Sequence, residues 1–384
     1  MTFLGYPRPD GRVGVRNHVV VISSVSCANG VVEAIGRELP AVKAITHTEG
    51  CGRGPDDVSI AIRTLAGTIS NPNVASALVI GLGCEVIKAA MISVQAAATG
   101  KRIEHFGIQE SGGTPASIAR GLQIASEMLE EASSIQRQEF GLEKLTFAVE
   151  CGGSDSMSGL TANACIGEVT DWLVGAGGTV LMSEITEFIG AEEAIAGRCG
   201  SPEVRERLLK LLAEQRSLVK EKLGPMAHMV IAPGNAEGGL SSIEEKSLGS
   251  LAKGGSSTIA EVVEYAEQPG GPGLVIMNTP GSDIFSMTGK IAGGAQLLLF
   301  STGRGSPAGH PITPVIKVAS NTGLFEAMPD DMDFNAGVVM ESSAIADAGA
   351  ELRALAIEVA NGIPTKAEIN RSEMFAIHST GSPF

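Results

Sequence analysis

Apolar and polar positions alternate with two different periods along the first third of the chain. Short segments rich in Val, Ile and Ala predict buried strands, and the amphipathic segments between them predict helices. The predicted strands cover residues 18–25, 42–46, 75–83 and 102–108. The predicted helices follow three of them, at 29–39, 55–70 and 114–133. This order of strands and helices predicts a parallel sheet with right-handed crossovers.

A polar segment at 133–144 separates this unit from a second one. After it the apolar segments return, and they predict strands at 145–150, 177–184, 273–278, 295–302 and 314–320. The charged segment 201–224 is typical of a helix with a solvated face. We therefore predict an α/β protein of two doubly wound, mostly parallel-sheet domains, covering residues 1–135 and 145–384.

Composition narrows the classes of partner. The chain has 384 residues, 43% of them hydrophobic, and a net charge of −15, which argues against binding to nucleic acid or to an anionic membrane. Its start lacks the pattern of a signal peptide, and its apolar segments are too short to span a bilayer. We therefore predict a cytoplasmic protein whose six cysteines are thiols or ligands rather than disulfides.

Four of the cysteines follow the carboxyl ends of predicted strands, where open α/β sheets bind their ligands. Thiolate, imidazole and carboxylate side chains together suit zinc or iron. The predicted metal ligands are His47, Cys51, Cys84, Glu85 and Cys151. An iron–sulfur cluster on three thiolates is the alternative, although no Cys-x-x-Cys supports it. Burial as small apolar residues is the third interpretation, and it is the one expected for Cys165 and Cys199.

Cys27 is left open between these interpretations. His228 lies in the apolar segment "MAHMV" and is expected to be a structural residue.

The second half is rich in predicted loops of Gly, Ser, Thr and Asn that carry single basic residues, among them 232–249, 253–257, 278–283 and 301–307. Backbone N–H groups, hydroxyls and isolated cations favour a hydroxylated carboxylic acid as ligand. The candidate substrate-binding residues are Asn235, Lys253, Asp283, Thr302, Arg304 and Lys317. Ordinary tight turns are the alternative. Neither a phosphate-binding G-x-x-x-x-G-K-[ST] nor a G-x-S-x-G nucleophile turn is present, which disfavours nucleotide binding and serine hydrolysis.

Several motifs together resemble one family along nearly the whole chain. They are "GYPRPDGRVGVRNHVVV", "SCANG", "HTEGCG", "NPNVASALVIGLGCE", "ECGGSDSMSGLTANACIG", "GNAEGGLSSIEEKSLG", "NTPGSD" and "STGRGSPAGHPITPVIKVASN". The chain is similar to the altronate/galactarate dehydratase family, which also includes the beta subunit of sulfolactate sulfo-lyase. The motifs specify the family much better than they specify the substrate.

The resemblance implies a metal-dependent lyase that uses Fe²⁺, with an iron–sulfur cluster or another divalent metal as alternatives. The implied reaction is loss of water by β-elimination from a sugar acid, and the candidate bases are His47, Glu110 and Lys246. Family members with a single chain carry a small SAF-type domain ahead of the entry motif, which here begins at Gly5. The resemblance therefore implies either a separate small subunit or a divergent stand-alone enzyme, and an oligomer is expected. Alternatives are sulfite as the leaving group, a non-catalytic binding subunit and a zinc hydrolase.

Overall fold

The computed structural model describes residues 1–226 and 233–384. Segment 227–232, which contains His228, lies outside the described residues. The strands are β1 (Thr2–Pro7), β2 (Val13–Gly14), β3 (His18–Ser23), β4 (Lys43–Ile45), β5 (Val74–Gly81), β6 (Arg102–Gly107), β7 (Gln138–Gly141), β8 (Thr146–Cys151), β9 (Thr179–Met182), β10 (Ile259–Val263), β11 (Gly273–Met277), β12 (Leu297–Thr302), β13 (Val315–Ala319) and β14 (Phe334–Asn335).

Helices connect most of these strands. They are α1 (Asn29–Glu38), α2 (Pro55–Ser70), α3 (Ala89–Ala96), α4 (Thr114–Ser134), α5 (Ala162–Gly175), α6 (Glu192–Ala196), α7 (Pro202–Leu223), α8 (Pro233–Glu237), α9 (Ile243–Leu251), α10 (Asp283–Ala292), α11 (Thr322–Ala327), α12 (Ile345–Ala360) and α13 (Lys366–Ile369).

The first large sheet has four parallel strands in the order β4-β3-β5-β6. Its central strands are continuous apolar runs because helices cover both of their faces. The chain moves from β3 outward to β4 and then back to β5 on the other side. The crevice between the carboxyl ends of β3 and β5 is therefore a topological switch point, where such sheets bind ligands.

The second large sheet has seven parallel strands in the order β10-β11-β9-β8-β12-β13-β14. Strands β9 to β11 extend it on one side of β8, and β12 to β14 extend it on the other. The switch point of this sheet therefore lies between the carboxyl ends of β8 and β12. Together the two sheets confirm the predicted α/β class with parallel, doubly wound sheets.

A small antiparallel sheet, β2-β1-β7, joins the start of the chain to the predicted boundary segment. The polar composition of 133–144 predicted only a connection, whereas β7 pairs there with β1 between Thr2 and Gly5. The two-domain division itself stays a prediction.

The two large sheets share one of the hydrophobic clusters of the core. One cluster of buried side chains contains Val20 and Val79 of the first sheet together with Leu181 and Leu298 of the second. Helices α2 and α10 lie between the sheets. Their carboxyl-terminal ends meet, because Asn71, directly after α2, donates to the carbonyl oxygens of Ile291 and Ala295 at 2.8 Å. Both helices begin at the carboxyl edge of their own sheet, so these two edges face the same side of the molecule.

One loop prediction is wrong. Segment 232–249 was expected to be a glycine-rich loop, but most of its described part forms α8 and the first turns of α9. Ser242 caps α9 by accepting a hydrogen bond from the backbone N–H of Glu245. Acidic residues in the first turn, Glu244 and Glu245, add favourable charge at the helix start. Within residues 1–226 and 233–384, no helix is long and apolar enough to cross a membrane.

Candidate active site

The last two residues of β8 place ionisable side chains on opposite faces of the seven-stranded sheet. Side chains alternate along a strand, so Phe147 and Val149 enter one core while Ala148 enters the other. The same alternation sends Glu150 and Cys151 to opposite faces. Both side chains are buried, at the switch point of the sheet.

Cys151 lies in a buried network of charges. The Lys253 ammonium donates to the Cys151 Sγ at 2.8 Å and to the Glu184 Oε2 at 2.9 Å. The Cys151 thiol donates to the Glu187 Oε2 at 2.8 Å, and Lys246 pairs with the Glu187 Oε1 at 2.8 Å. Because every polar group here has a charged partner, the network tolerates burial.

Burial and charge set the protonation of this network. Burial, reinforced by the charge of Glu187, raises the pKa of the Cys151 thiol. Burial and the neighbouring Glu150 also raise the pKa of Glu184. Burial acts in the same direction on Glu187, but Lys246 and Lys253 outweigh it and lower its pKa to about 2.

Cys151, Glu184 and Glu187 are close enough to hold a metal ion, with one ligand atom of each within 4.8 Å of the others. The Lys253 ammonium already lies among these atoms, at 2.8, 2.9 and 3.5 Å from the three side chains. A fully buried ammonium thus supplies the positive charge that a metal ion would supply. These residues therefore fit a metal only if Lys253 withdraws.

Glu184 also belongs to a second cluster on the other face of the sheet. Its carboxylate lies within 4.8 Å of ligand atoms of Glu150 and Asp283. Lys290, completely buried on α10, pairs with the Glu150 Oε2, which also accepts from Ser286 at 2.8 Å. The Glu150 Oε1 has no hydrogen-bond partner among the described residues. A buried oxygen without a partner is costly, which is a feature of ligand sites.

The backbone at Glu184 is itself unusual. Its φ is +69°, a left-handed conformation that costs a non-glycine residue energy. The conformation turns the side chain back towards the Cys151 N–H, from which its Oε2 accepts at 3.1 Å. Such strain is concentrated at functional sites.

Asp283 and Lys317 both have pKa values that are shifted towards neutrality. Burial, reinforced by Glu184 and Glu187, raises the pKa of Asp283, the first residue of α10, to about 6. Burial lowers the pKa of Lys317, on β13, to about 7 despite the nearby charge of Asp283. The Lys317 Nζ lies 3.4 Å from the centre of the Phe300 ring and has no hydrogen-bond partner in the described structure. Both groups therefore titrate near neutrality.

Two cavities open at this edge. The first, of about 310 Å³, is lined by Cys151, Ser154, Asn163 and Lys246 among others. The second, of about 420 Å³, is lined by Asp283 together with Ser282, Ser306, Ala308 and Met374. Gly152 of "ECGGSD" is required because a Cβ there would stand 2.2 Å from the Asp283 Oδ2. The loop thus brings the Gly152 backbone into close contact with the Asp283 carboxyl group.

The remaining predicted substrate residues are Asn235, Thr302 and Arg304, and Asn235 contacts two residues that line the first cavity. Buried Asn235 donates to the Ser154 carbonyl oxygen at 2.9 Å and accepts from Lys246 at 3.5 Å. The Thr302 hydroxyl accepts from the Gly305 N–H, which shapes the loop after β12. Arg304 is exposed and pairs with Glu237 at 3.1 Å. Its backbone N–H donates to the Gly153 carbonyl oxygen, which ties the two glycine loops together.

The predicted metal ligands other than Cys151 lie at the edge of the four-stranded sheet. Burial lowers the pKa of His47, whose Nε2 bonds to the Ser23 carbonyl oxygen at 2.7 Å while its Nδ1 accepts from the Glu49 N–H. Glu85 accepts from the Ser24 hydroxyl and the Gly83 N–H. Cys51 and Cys84 are exposed thiols. Among the described residues Cys151 shares no metal-sized group with any of these four, and metal binding by the predicted set stays a prediction.

The three predicted bases are in different surroundings. Both ring nitrogens of His47 are occupied by backbone groups. Glu110 is exposed beyond β6 and accepts from the Gly107 N–H at 2.9 Å. Lys246 lines the first cavity, and the pKa of its ammonium is raised by Glu187 against the effect of burial.

Sequence reasoning missed Glu184, Glu187 and Ser154. Glu184 closes the predicted strand 177–184, so the rule that selected the cysteines at strand ends would also have selected it. Glu187 lies three residues after Glu184, and Ser154 lies three residues after Cys151, so neither is at a predicted strand end. Only the folded turns bring them back to the edge of the sheet.

Comparison with known proteins gives matches over both halves. Residues 5–133 match the family model "D-galactarate dehydratase/Altronate hydrolase, second domain", and residues 142–382 match "D-galactarate/Altronate dehydratase, C-terminal". Altronate dehydratase of Bacillus subtilis is 33% identical, over 99% of this chain and 78% of that protein. Galactarate dehydratase (L-threo-forming) of Escherichia coli is 35% identical, over 94% and 73%.

A relative of another activity is equally similar. The beta subunit of (2R)-sulfolactate sulfo-lyase from Chromohalobacter salexigens is 35% identical, over 96% of this chain and 94% of that subunit. The similarity therefore covers dehydratases and a sulfo-lyase subunit alike.

Proposed function

Because the chain belongs to the D-galactarate/altronate dehydratase family, we propose that it is a hydro-lyase acting on a sugar acid such as altronate or galactarate. The reaction is β-elimination: a proton leaves the carbon next to the carboxylate and a hydroxyl leaves the following carbon. The resulting enol becomes a 2-keto-3-deoxy acid. The carboxyl edge of the seven-stranded sheet is the proposed site.

The observation that carries this proposal is Asp283. Elimination needs a base whose pKa lies near the working pH and which can reach the substrate. Asp283 is partly exposed, lines the second cavity, and has its pKa raised to about 6 by burial. At neutral pH its carboxylate is deprotonated and accepts the proton from the carbon next to the substrate carboxylate.

Neighbouring residues supply the other requirements. Lys246, whose ammonium lines the first cavity beside Glu187, is the proposed partner of the substrate carboxylate. The Ser154 Oγ is buried, lines the same cavity and has no hydrogen-bond partner among the described residues, so it suits a substrate hydroxyl. A carboxylate oxygen of Glu184 lies within 4.8 Å of one of Asp283, and burial raises the pKa of Glu184, so we assign this residue to proton exchange with the base.

Iron enters this proposal only through the resemblance. The donor set around Cys151 is compensated by Lys253, and Glu150 is compensated by Lys290. The mechanism proposed for this edge of the sheet therefore uses no metal ion. The bases proposed from sequence, His47 and Glu110, lie at the other sheet, and Lys246 is assigned to binding.

The test is Asp283→Asn, which keeps the shape of the side chain and removes the base. We expect kcat for 2-keto-3-deoxy acid formation to fall by about 10²–10⁴-fold, the usual contribution of a general base. Asp347→Asn is the matched control, because Asp347 is an exposed aspartate in the first turn of α12. Equal loss in both variants, or full activity of Asp283→Asn with an altronate and galactarate panel, contradicts the proposal.

The second candidate is carbon–sulfur lysis, favoured by the 35% identity over 94% of a sulfo-lyase subunit. It uses the same base but releases sulfite, so sulfite and keto acid are measured in the same assay with sulfolactate and the sugar acids. A separate small SAF-type subunit stays a prediction, and it is tested by activity on adding that subunit. Absence of turnover under all these conditions indicates a non-catalytic homologue.

A further inference from the structure

Three exposed free thiols lie at the carboxyl edge of the four-stranded sheet. Cys27 follows β3, Cys51 follows β4 and Cys84 follows β5, and these three strands are direct neighbours in the order β4-β3-β5. Cys27 and Cys84 flank the switch point of the sheet, the crevice where ligands bind in this architecture. Cys27, left open from sequence, therefore belongs with Cys51 and Cys84, whereas Cys151 belongs to the other sheet.

Hydrogen bonds tie the three cysteine loops together. The Ser26 N–H donates to the Glu49 carbonyl oxygen at 2.9 Å, which joins the first loop to the second. The N–H groups of Val86 and Ile87 both donate to the Gly50 carbonyl oxygen at 3.2 Å, which joins the second loop to the third. Gly50 has a φ of +123°, and a Cβ there would stand 2.5 Å from Val25. The loops are thus fixed relative to one another.

Three helices begin close to the three thiols. A helix begins within five residues after each thiol: α1 after Cys27, α2 after Cys51 and α3 after Cys84. All three helices direct their positive, N-terminal ends to this edge of the sheet. Helix N-termini favour the binding of an anionic group at such an edge.

The spacing of the thiols distinguishes between kinds of metal site. A tetrahedral zinc ion with Zn–S bonds of about 2.3 Å requires sulfur atoms about 3.8 Å apart. Among the described residues, the groups whose ligand atoms lie within 4.8 Å of one another do not include these three thiols. The obvious additional ligands are occupied, since His47 and Glu85 are bonded to backbone N–H and carbonyl groups or to Ser24. At least two of the three thiols therefore lie farther apart than a single tetrahedral zinc ion requires.

We propose that Cys27, Cys51 and Cys84 bind a [4Fe–4S] cluster, with the fourth iron free of a protein ligand. In binding, the three thiols release their protons to solvent, and the thiolates replace exchangeable ligands of an incoming preformed cluster. Iron and sulfide keep their oxidation states in this exchange. Once bound by these three residues, the cluster would supply Lewis-acid chemistry to an oxygen group of a small molecule. This inference does not rest on the assignment of Asp283.

The primary test measures the cluster itself. The purified full chain is treated anaerobically with a synthetic, thiolate-ligated [4Fe–4S] complex and separated from the excess. We expect about four iron and four sulfide per chain, the stoichiometry of the cluster, and the broad visible absorption of sulfide-bridged iron. Iron bound without sulfide, or no iron retained, overturns the proposal.

Single variants identify the ligands. Cys27→Ser, Cys51→Ser and Cys84→Ser each lose at least half of the retained iron and sulfide. Cys199→Ser is the matched control, because Cys199 is a half-buried free thiol of the other unit, and Cys151→Ser retains the cluster as well. Loss in Cys151→Ser together with retention in Cys27→Ser supports the ligand set predicted from sequence and overturns this one.

A second measurement uses the unmodified chain, so it gives a result even where a cysteine variant fails to fold. In the unmodified chain without iron, iodoacetamide labels Cys27, Cys51 and Cys84, because these side chains are exposed. After cluster transfer, mass spectrometry shows these three thiols protected, while the labelling of Cys199 does not change. Equal labelling of the three thiols before and after transfer contradicts the proposal.

Discussion

At the scale of single residues, the candidate active site depends on how neighbours shift one another's titration. The Asp283 pKa is raised to about 6 by burial and by Glu184 and Glu187, while Lys317 opposes this shift. Burial of Lys317 in turn lowers the pKa of its own ammonium to about 7. Because the two groups titrate in the same range and influence each other, their apparent pKa values belong to the pair.

Lys317→Met tests this coupling. Removing the positive neighbour raises the pKa of Asp283, so the base form is lost at a higher pH. We expect the acid limb of the kcat profile to move upward by roughly one pH unit, the low end of the effect of a close opposite charge. Lys220→Met, at an exposed position of α7, is the control and leaves the limb in place. If the acid limb of the kcat profile does not move in Lys317→Met either, the result argues against Asp283 as the base.

At the scale of elements, the packing of α2 against α10 aligns the two sheets. Gly67 of α2 lies so close to the end of α10 that a Cβ would stand 2.5 Å from the Ala292 carbonyl oxygen. The backbone of α10 cannot yield easily, since Asn71 binds the neighbouring carbonyl oxygens. The contact therefore depends on the absence of a side chain.

Gly67→Ala should destabilise the protein by about 1–3 kcal/mol, the usual cost of overpacking. Gly30→Ala is the matched control: Gly30 lies in α1, and the described part of the chain places no atom within 4 Å of where its Cβ would stand. There the better helix propensity of Ala should stabilise by up to about 1 kcal/mol. Urea unfolding measures both changes. If Gly67→Ala is as stable as Gly30→Ala, the close approach of α2 to α10 does not require a glycine at position 67.

Element prediction from sequence succeeded where the apolar pattern is strong. Strands β3, β5, β8 and β12 lie within one or two residues of the predicted ends at most positions, because central strands of parallel sheets are unbroken apolar runs. It failed for β7 and for α8 and α9. These elements are polar or glycine-rich, and β7 forms only because β1 offers an edge from the distant start of the chain.

At the scale of the whole molecule, the two sheets are joined by more than the helices between them. Asn73, after α2, donates to the carbonyl oxygens of Gln296 and Ile312 and accepts from the Val15 and Arg16 N–H groups. Arg16 in turn pairs with Glu368 of α13 at 2.7 Å. Buried polar groups satisfied across the boundary bind the early part of the chain to its end.

This shared core predicts cooperative unfolding. Since one buried cluster contains side chains of both sheets, each sheet loses the core on one of its faces when the other unfolds. We expect a single calorimetric transition whose van't Hoff and calorimetric enthalpies agree. Asn73→Ala lowers its midpoint without splitting it, because buried partners lose their hydrogen bonds. Two separate transitions in the unmodified chain contradict a common core.

The sequence by itself determined the α/β class, the parallel strands and the position of polar residues at strand ends, because these follow from local periodicity and from the rule that such sheets bind ligands at their carboxyl edges. It did not determine which strand ends lie together. The strand order placed Cys27 beside Cys51 and Cys84, and it placed Cys151 with Lys253, Glu184 and Glu187 in the other sheet. Distances and pKa shifts arise from contacts between residues far apart in the chain, and only the tertiary structure sets those contacts.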